Sequence, residues 1–97
     1  MVSNMRIDGV ELSIYTYYKG EECEYITLNT NEGEVDFFVN GEAYYNGTKW
    51  IILRPEDERD EVVFRVNGDR FVVEMNDSII DHVYGAYLEG KHRMGLI

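Results

Sequence analysis

Thr48-Lys49-Trp50-Ile51-Ile52-Leu53-Arg54-Pro55 is apolar on both parities, with Trp50 and Ile52 on one side of an extended chain and Ile51 and Leu53 on the other. A strand of that composition needs cover on both faces, which places it at the centre of a sheet. Its limits are local. Asn46-Gly47 tolerates positive φ at both residues and is the strongest hairpin signal in the chain. Pro55 removes a ladder donor and ends the strand.

Reading upstream, Glu34 to Val39 alternates Val35, Phe37 and Val39 with Glu34, Asp36 and Phe38. Asn40-Gly41 ends or turns that strand, and Ala43 to Tyr45 continues extended into the hairpin. Asn31-Glu32-Gly33 is a turn, preceded by a strand over Tyr25 to Thr30 with Ile26 and Leu28 in phase. Lys19-Gly20-Glu21-Glu22 is a polar break. Before it, Val10, Leu12 and Ile14 share one parity, and Asp8-Gly9 folds Met5 to Ile7 back onto Val10 to Leu12.

Reading downstream, the acidic loop Glu56-Asp57-Glu58-Arg59-Asp60 leads into a strand over Glu61 to Val66. Asn67-Gly68 then turns the chain into Phe71, Val73 and Met75. The period changes at Asn76-Asp77-Ser78, whose side-chain oxygens suit a helix cap. Ile79, Ile80, Val83, Tyr84, Tyr87 and Leu88 form one helical stripe, and Gly90 reads as the stop. The expected fold is α+β, mainly β. It is an antiparallel meander of six to seven strands, a roll or open barrel, with one C-terminal amphipathic helix.

The whole chain, 1–97, reads as a single domain: an N-terminal strand or hairpin extension over 1–23, the meander over 24–75, the helix over 78–89 and a loose tail over 91–97. The helix covers one sheet face. The N-terminal hairpin folding over the other is the economical cover, and a symmetric homodimer is its rival.

The chain carries 19 acidic and 9 basic residues, a formal net charge of -10. Direct nucleic-acid binding is excluded on that balance, because Arg6, Lys19, Lys49, Arg54, Arg59, Arg65 and Arg70 are scattered among acids rather than gathered on one face. The expected partner is a protein with a basic surface. Eight Tyr, four Phe and one Trp supply core material that a disordered acidic chain lacks. The apolar runs are far shorter than the roughly 20 residues a membrane-spanning helix needs, so no membrane partner is expected. One cysteine and no charged-then-apolar leader point to the reducing cytoplasm.

The segment Tyr25-Ile26-Thr27-Leu28, then Glu32-Gly33-Glu34-Val35-Asp36-Phe37, then Tyr45-Asn46-Gly47-Thr48-Lys49-Trp50, resembles the YrzB-like family of small acidic bacterial proteins of unknown function. Leu53-Arg54-Pro55-Glu56-Asp57-Glu58, Val63-Phe64-Arg65-Val66 and Ile80 to Leu88 extend the resemblance over about residues 24–88. The N-terminal part, Met1 to Cys23, and the basic C-terminal tail depart from the family pattern. The resemblance implies an acidic cytosolic protein and transfers no catalytic or binding residues.

Candidate chemistry is sparse. Cys23 with His82 or His92 is the one thiol-imidazole set, and nothing in the spacing places the pair within reach of each other. Residues 56–61 lack the ligand pattern of a calcium loop, so no metal and no cofactor are expected. The partner-binding candidates are Glu32, Glu34, Asp36, Glu56, Asp57, Glu58, Asp60 and Glu61. Glu32, Glu34 and Asp36, if Glu32 is extended, project at intervals of about 6.6 Å, twice the strand rise of roughly 3.3 Å. Two functions follow. One is a non-enzymatic acidic interaction module that binds a basic protein. The alternative is a phage or mobile-element inhibitor that imitates DNA and blocks a nucleic-acid-handling enzyme. Against both stands a plain solubilising surface.

Overall fold

The computed structural model describes residues 1–17 and 23–97; the Lys19 to Glu22 break lies outside them. Among the described residues the elements in chain order are β1 (Val2–Ile7), β2 (Val10–Tyr15), β3 (Tyr25–Thr30), β4 (Gly33–Tyr45), β5 (Thr48–Pro55), β6 (Val62–Asn67), β7 (Arg70–Val73) and α1 (Asp77–Arg93). All pairings are antiparallel, in the order β1-β2-β4-β5-β6-β7, with β3 also on β4. The sheet is not closed, and β5 is central as its two-sided apolarity requires. No helix among these residues is long and apolar enough to cross a membrane.

Two hairpins turn where expected. Asp8 and Gly9 have φ of 49° and 79°, and Asn46 and Gly47 have 53° and 79°. Both central residues are left-handed, so the turn twist matches that of the flanking strands. The β6–β7 turn differs by one residue. Asn67 pairs with Arg70, which leaves Gly68 and Asp69 as the turn, and the positive φ falls on Gly68 alone.

Strand β4 is a single 13-residue strand where an end or turn was expected at Asn40-Gly41. Val39 pairs with Leu53 and Gly41 with Ile52, so Asn40 is an extra residue, a β-bulge. The bulge reverses the pleat. Phe37 and Val39 lie on one face of the sheet, and Ala43, of the same parity, lies on the other. Strands β2 and β3 occupy the same side of β4 in tandem, on either side of this point. Tyr17 Oη donates to the Val39 carbonyl at 2.9 Å, and Val39 N donates to the Glu24 carbonyl at 2.9 Å, closing the ladder where the two strands part.

The sheet has a core on each face. On one, α1 packs against β1, β2 and β4. Val83, Ala86 and Tyr87 meet Val10, Leu12, Ile14, Ala43, Trp50, Ile52 and Val63 there. The N-terminal hairpin therefore does not fold over the opposite face. It extends the sheet beside β4, because Ile7, Val10, Leu12 and Ile14 are needed under the helix. The opposite core holds Phe37, Val39, Ile51, Leu53 and Phe64, rimmed by Ile26, Leu28, Val35, Val66 and Phe71. Phe37 and Phe64 sit on strands separated by β5, yet their rings meet edge to face with centroids 5.7 Å apart. With Ile51 and Leu53 on the strand between them, they bury this face.

The helix starts at its expected cap: the Asn76 side chain accepts from Ser78 N and Ile79 N at 3.0 and 3.3 Å. It does not stop near Gly90, as the 78–89 expectation had it, but runs to Arg93. Gly90 is buried, and a Cβ there would lie 2.7 Å from Ile14 Cδ1 and 2.9 Å from Met5 Sδ, so this glycine permits close helix–sheet approach. The stop is Gly95, at φ 75°, with Gly95 N on the His92 carbonyl and Leu96 N on the Lys91 carbonyl. That bond pair is a Schellman motif. Residues 91–93 are thus helical rather than tail.

Candidate interaction surface

The β3–β4 hairpin and the loop after Pro55 assemble one acidic surface from segments distant in sequence. Before the bulge, Glu34, Asp36 and Phe38 share the face of β4 that points away from Phe37 and Val39. Across the ladder, Asn29 pairs with Glu34, Thr27 with Asp36 and Tyr25 with Phe38. Thr27 Oγ1 donates to the Asp36 carboxylate. On the other side Phe38 pairs with Arg54, whose guanidinium lies over the Phe38 ring, 4.9 Å from its centroid.

Arg54 also sets the loop. Its Nη1 donates to the Glu58 carbonyl at 2.7 Å and to the Pro55 carbonyl at 3.4 Å. Glu58 N bonds the Pro55 carbonyl, and Glu56 N bonds the Asp36 carbonyl, both at 3.1 Å. The acidic loop is therefore pinned to β4 with Glu56, Asp57, Glu58 and Asp60 exposed. Asp36 and Glu56 line a common cleft of about 270 Å³ with Tyr25, Phe37 and Phe38. Tyr25 is 61% exposed. Two carboxylates beside the rings of Tyr25 and Phe38 form a surface suited to a guanidinium or ammonium group.

Two expected members do not belong. Glu32 sits in the turn between β3 and β4, where its N–H bonds Thr30 Oγ1 at 3.1 Å, so it does not continue the row of Glu34 and Asp36. Glu61 faces inward. Its carboxylate accepts from Tyr87 Oη at 2.6 Å, Tyr84 Oη at 2.8 Å and Asn40 Nδ2 at 2.9 Å. Burial raises its pKa, but the donors Tyr87, Asn40 and Tyr84 outweigh burial and hold it below the ordinary value. The same arrangement, with desolvation leading, raises the pKa of both tyrosines. Glu61 ties the bulge and the end of the acidic loop to the helix.

Glu74 was not singled out from the sequence. It is 6% exposed and accepts from Trp50 Nε1 at 2.9 Å, from Met75 N and from Asn76 N, with Arg65 Nη1 at 3.5 Å. The Trp50 bond, helped by the backbone donors and Arg65, overcomes desolvation and lowers its pKa. The one signal available was Trp50 itself, since a buried indole N–H requires an acceptor. Tyr25, Phe38 and Arg54 were also passed over, because only their cross-strand register makes them neighbours.

Cys23 and the histidines do not converge. The concavity beside Cys23 is lined by Met1, Val2, Tyr15, Tyr17, Glu24 and Tyr25. The His82 ring lies tilted against Tyr45 with centroids 4.6 Å apart and places Nε2 3.1 Å from the Asp8 carbonyl. Among the described residues no group of three or more His, Cys, Asp or Glu side chains is arranged to hold a metal ion. Comparison with protein-family models, with curated proteins and with solved structures finds no match.

Proposed function

We propose that this chain is a non-enzymatic acidic interaction module that binds a basic protein partner in the bacterial cytosol, through the arm formed by β3, β4 and the loop after Pro55. The observation that carries the reading is the convergence of Asp36 and Glu56 with Tyr25 and Phe38 on one cleft. At about 270 Å³ the cleft is below the roughly 300–1,000 Å³ of small-molecule pockets and admits one Lys or Arg side chain. Arg54, already seated on Phe38, is an internal example of the chemistry. The resemblance to the YrzB-like family, also acidic, agrees with this reading.

Exposed ion pairs contribute about 0.2–1 kcal/mol each and an exposed cation–π contact about 0.5–1 kcal/mol. One basic side chain in the cleft is therefore a weak anchor. A partner needs a run of basic residues that also meets Asp57, Glu58 and Asp60, and long-range attraction then speeds encounter. The DNA-mimic alternative needs a longer regular row than Glu34 and Asp36 supply, since Glu32 has turned away and Glu61 faces inward.

The test is titration of a lysine- and arginine-rich peptide against the protein and against the D36N/E56Q variant. Loss of two ion pairs and weakened cation–π seating amounts to about 1.4 kcal/mol, a tenfold loss of affinity. The charge-matched control D69N/D81N, far along the chain from the cleft, is expected to bind as the parent does. Equal losses in the two double variants would reduce the surface to undirected net charge and overturn the proposal.

A further inference from the structure

The outer edge of β1 has no strand partner among the described residues, and we propose that it pairs with the same edge of a second copy, joining two sheets across a two-fold axis. The direction of its free backbone groups follows from the ladder. Met1 N and Thr16 N each bond the other residue's carbonyl, at 2.7 and 2.8 Å, a closed pair. Alternation then turns the N–H and C=O of Val2, Asn4 and Arg6 outward. An antiparallel pairing centred on Asn4 sets Val2 opposite Arg6 of the second copy and pairs all of these groups.

Charge selects the edge, and the self-complementary register selects the occupant, since with Asn4 on the axis Val2 meets Arg6 and no like charges are directly opposed. Two molecules of net charge -10 repel, so they meet only where acid is sparse. Residues 1–7 contain Arg6 and no acid, and residues 90–97 contain Lys91 and Arg93 and no acid. These stretches are adjacent, since Gly90 is seated on Met5. The other edges fit less well. Strand β3 lies in the acidic arm opposite Asp36 and Glu34, where self-pairing would stack like charges. Strand β7 is only four residues long, itself a protection against pairing. Strand β1 has six residues and neither proline nor bulge. Val2 is 51% exposed and would lie on the aliphatic stem of Arg6 from the other copy. Leu96 and Ile97, both exposed, follow six and seven residues after Gly90, where Leu96 N folds back onto the Lys91 carbonyl.

The two-fold keeps the acidic arms apart. Asp36 is seven residues along β4 from Ala43, the residue that pairs with Leu12, and with Asn40 the extra residue of the bulge this is about 20 Å along the strand. That is well beyond a Debye length of about 8 Å at physiological salt. Self-association is expected to tighten as salt rises, the opposite of binding to a basic partner.

The experiment is sedimentation equilibrium of the full chain from low-micromolar to near-millimolar concentration, at low and high salt, beside N4P and R6E. Proline at position 4 removes an outward N–H and leaves the β1–β2 bonds in place. R6E puts acid on the seam. Each variant is expected to weaken the dimer at least about tenfold, with the circular dichroism spectrum unchanged. Should N4P fail to fold, R6E and hydrogen exchange still decide, with concentration-dependent protection expected at the amides of Val2, Asn4 and Arg6. A parent chain that stays monomeric throughout, or a dimer that R6E leaves intact, would overturn the proposal.

Discussion

Gly85 and Gly90 lie in the same helix five residues apart, and alanine should stabilise the protein at the first and not at the second. At Gly85 a Cβ meets nothing within 4 Å, so the substitution adds only helix propensity. The gain is about 0.5–1 kcal/mol, which in a domain of this size raises Tm by roughly 2–8 °C. At Gly90 the same gain is set against a Cβ 2.7 Å from Ile14 Cδ1 and 2.9 Å from Met5 Sδ. Met5 is partly buried and can swing aside, but Ile14 is 0% exposed and fully enclosed. Overpacking of this kind costs about 1–3 kcal/mol, so G90A should be neutral to about 2 kcal/mol less stable than the parent. The gap between the variants is then about 1–3 kcal/mol, readable in urea unfolding at matched m-values. G95A is the companion control. Its positive φ makes it the real helix stop, and alanine there should cost about 1 kcal/mol. If G90A were as stabilising as G85A, helix and sheet would not meet closely at that residue, and the packing of α1 described above would be wrong.

Two further outcomes follow from the inward-facing carboxylates and the bulge. Glu61 and Glu74 have folded-state pKa values lowered below the ordinary 4.5, so their stabilisation is fully present above pH 4.5 and is lost as pH falls through the folded values. E61Q and E74Q should each cost about 1–3 kcal/mol at pH 7, because an amide nitrogen then faces hydrogen-bond donors, and should flatten the acid limb of a stability–pH curve below pH 4.5. An unchanged acid limb in the E61Q/E74Q double variant would contradict the assignment. Deleting Asn40 removes the bulge and sends Gly41 to Tyr45 to the wrong face, a one-residue slip that should abolish cooperative unfolding in calorimetry. A deletion variant with a native-like transition would refute the reversal of the pleat.

The parts of the fold legible in the sequence are those governed by local rules. Trp50 to Leu53 is apolar on both parities and became the central strand. Asp8-Gly9 and Asn46-Gly47 carry the φ preferences of their turns, and Asn76 caps the helix it precedes. The bulge was not legible, because one asparagine before a glycine looks the same whether it ends a strand or reverses its pleat. Neither was the seat of the N-terminal hairpin: Val10, Leu12 and Ile14 announce a buried face but not which of two cores they enter. Gly90 resembled a stop because sequence does not distinguish a glycine needed for φ from one needed for contact. Of the acidic candidates, Glu34, Asp36, Glu56, Asp57, Glu58 and Asp60 are exposed, while Glu61 is spent on Tyr84, Tyr87 and Asn40. The strand expected over Glu61 to Val66 starts at Val62, and Glu61 shares the parity of Val63 under the helix; alternation separates the two faces of a strand without saying which one the helix covers.

Amide and side-chain NMR of the labelled protein, titrated with an arginine-rich peptide, tests the binding account most directly. Shifts are expected to concentrate on Tyr25, Asp36, Phe38 and Glu56, to fade with salt, and to need about ten times more peptide in D36N/E56Q. Shifts spread evenly over every acidic residue, or centred on Glu11 and Glu42, which line a separate open concavity with Arg6 and Lys49, would contradict that reading.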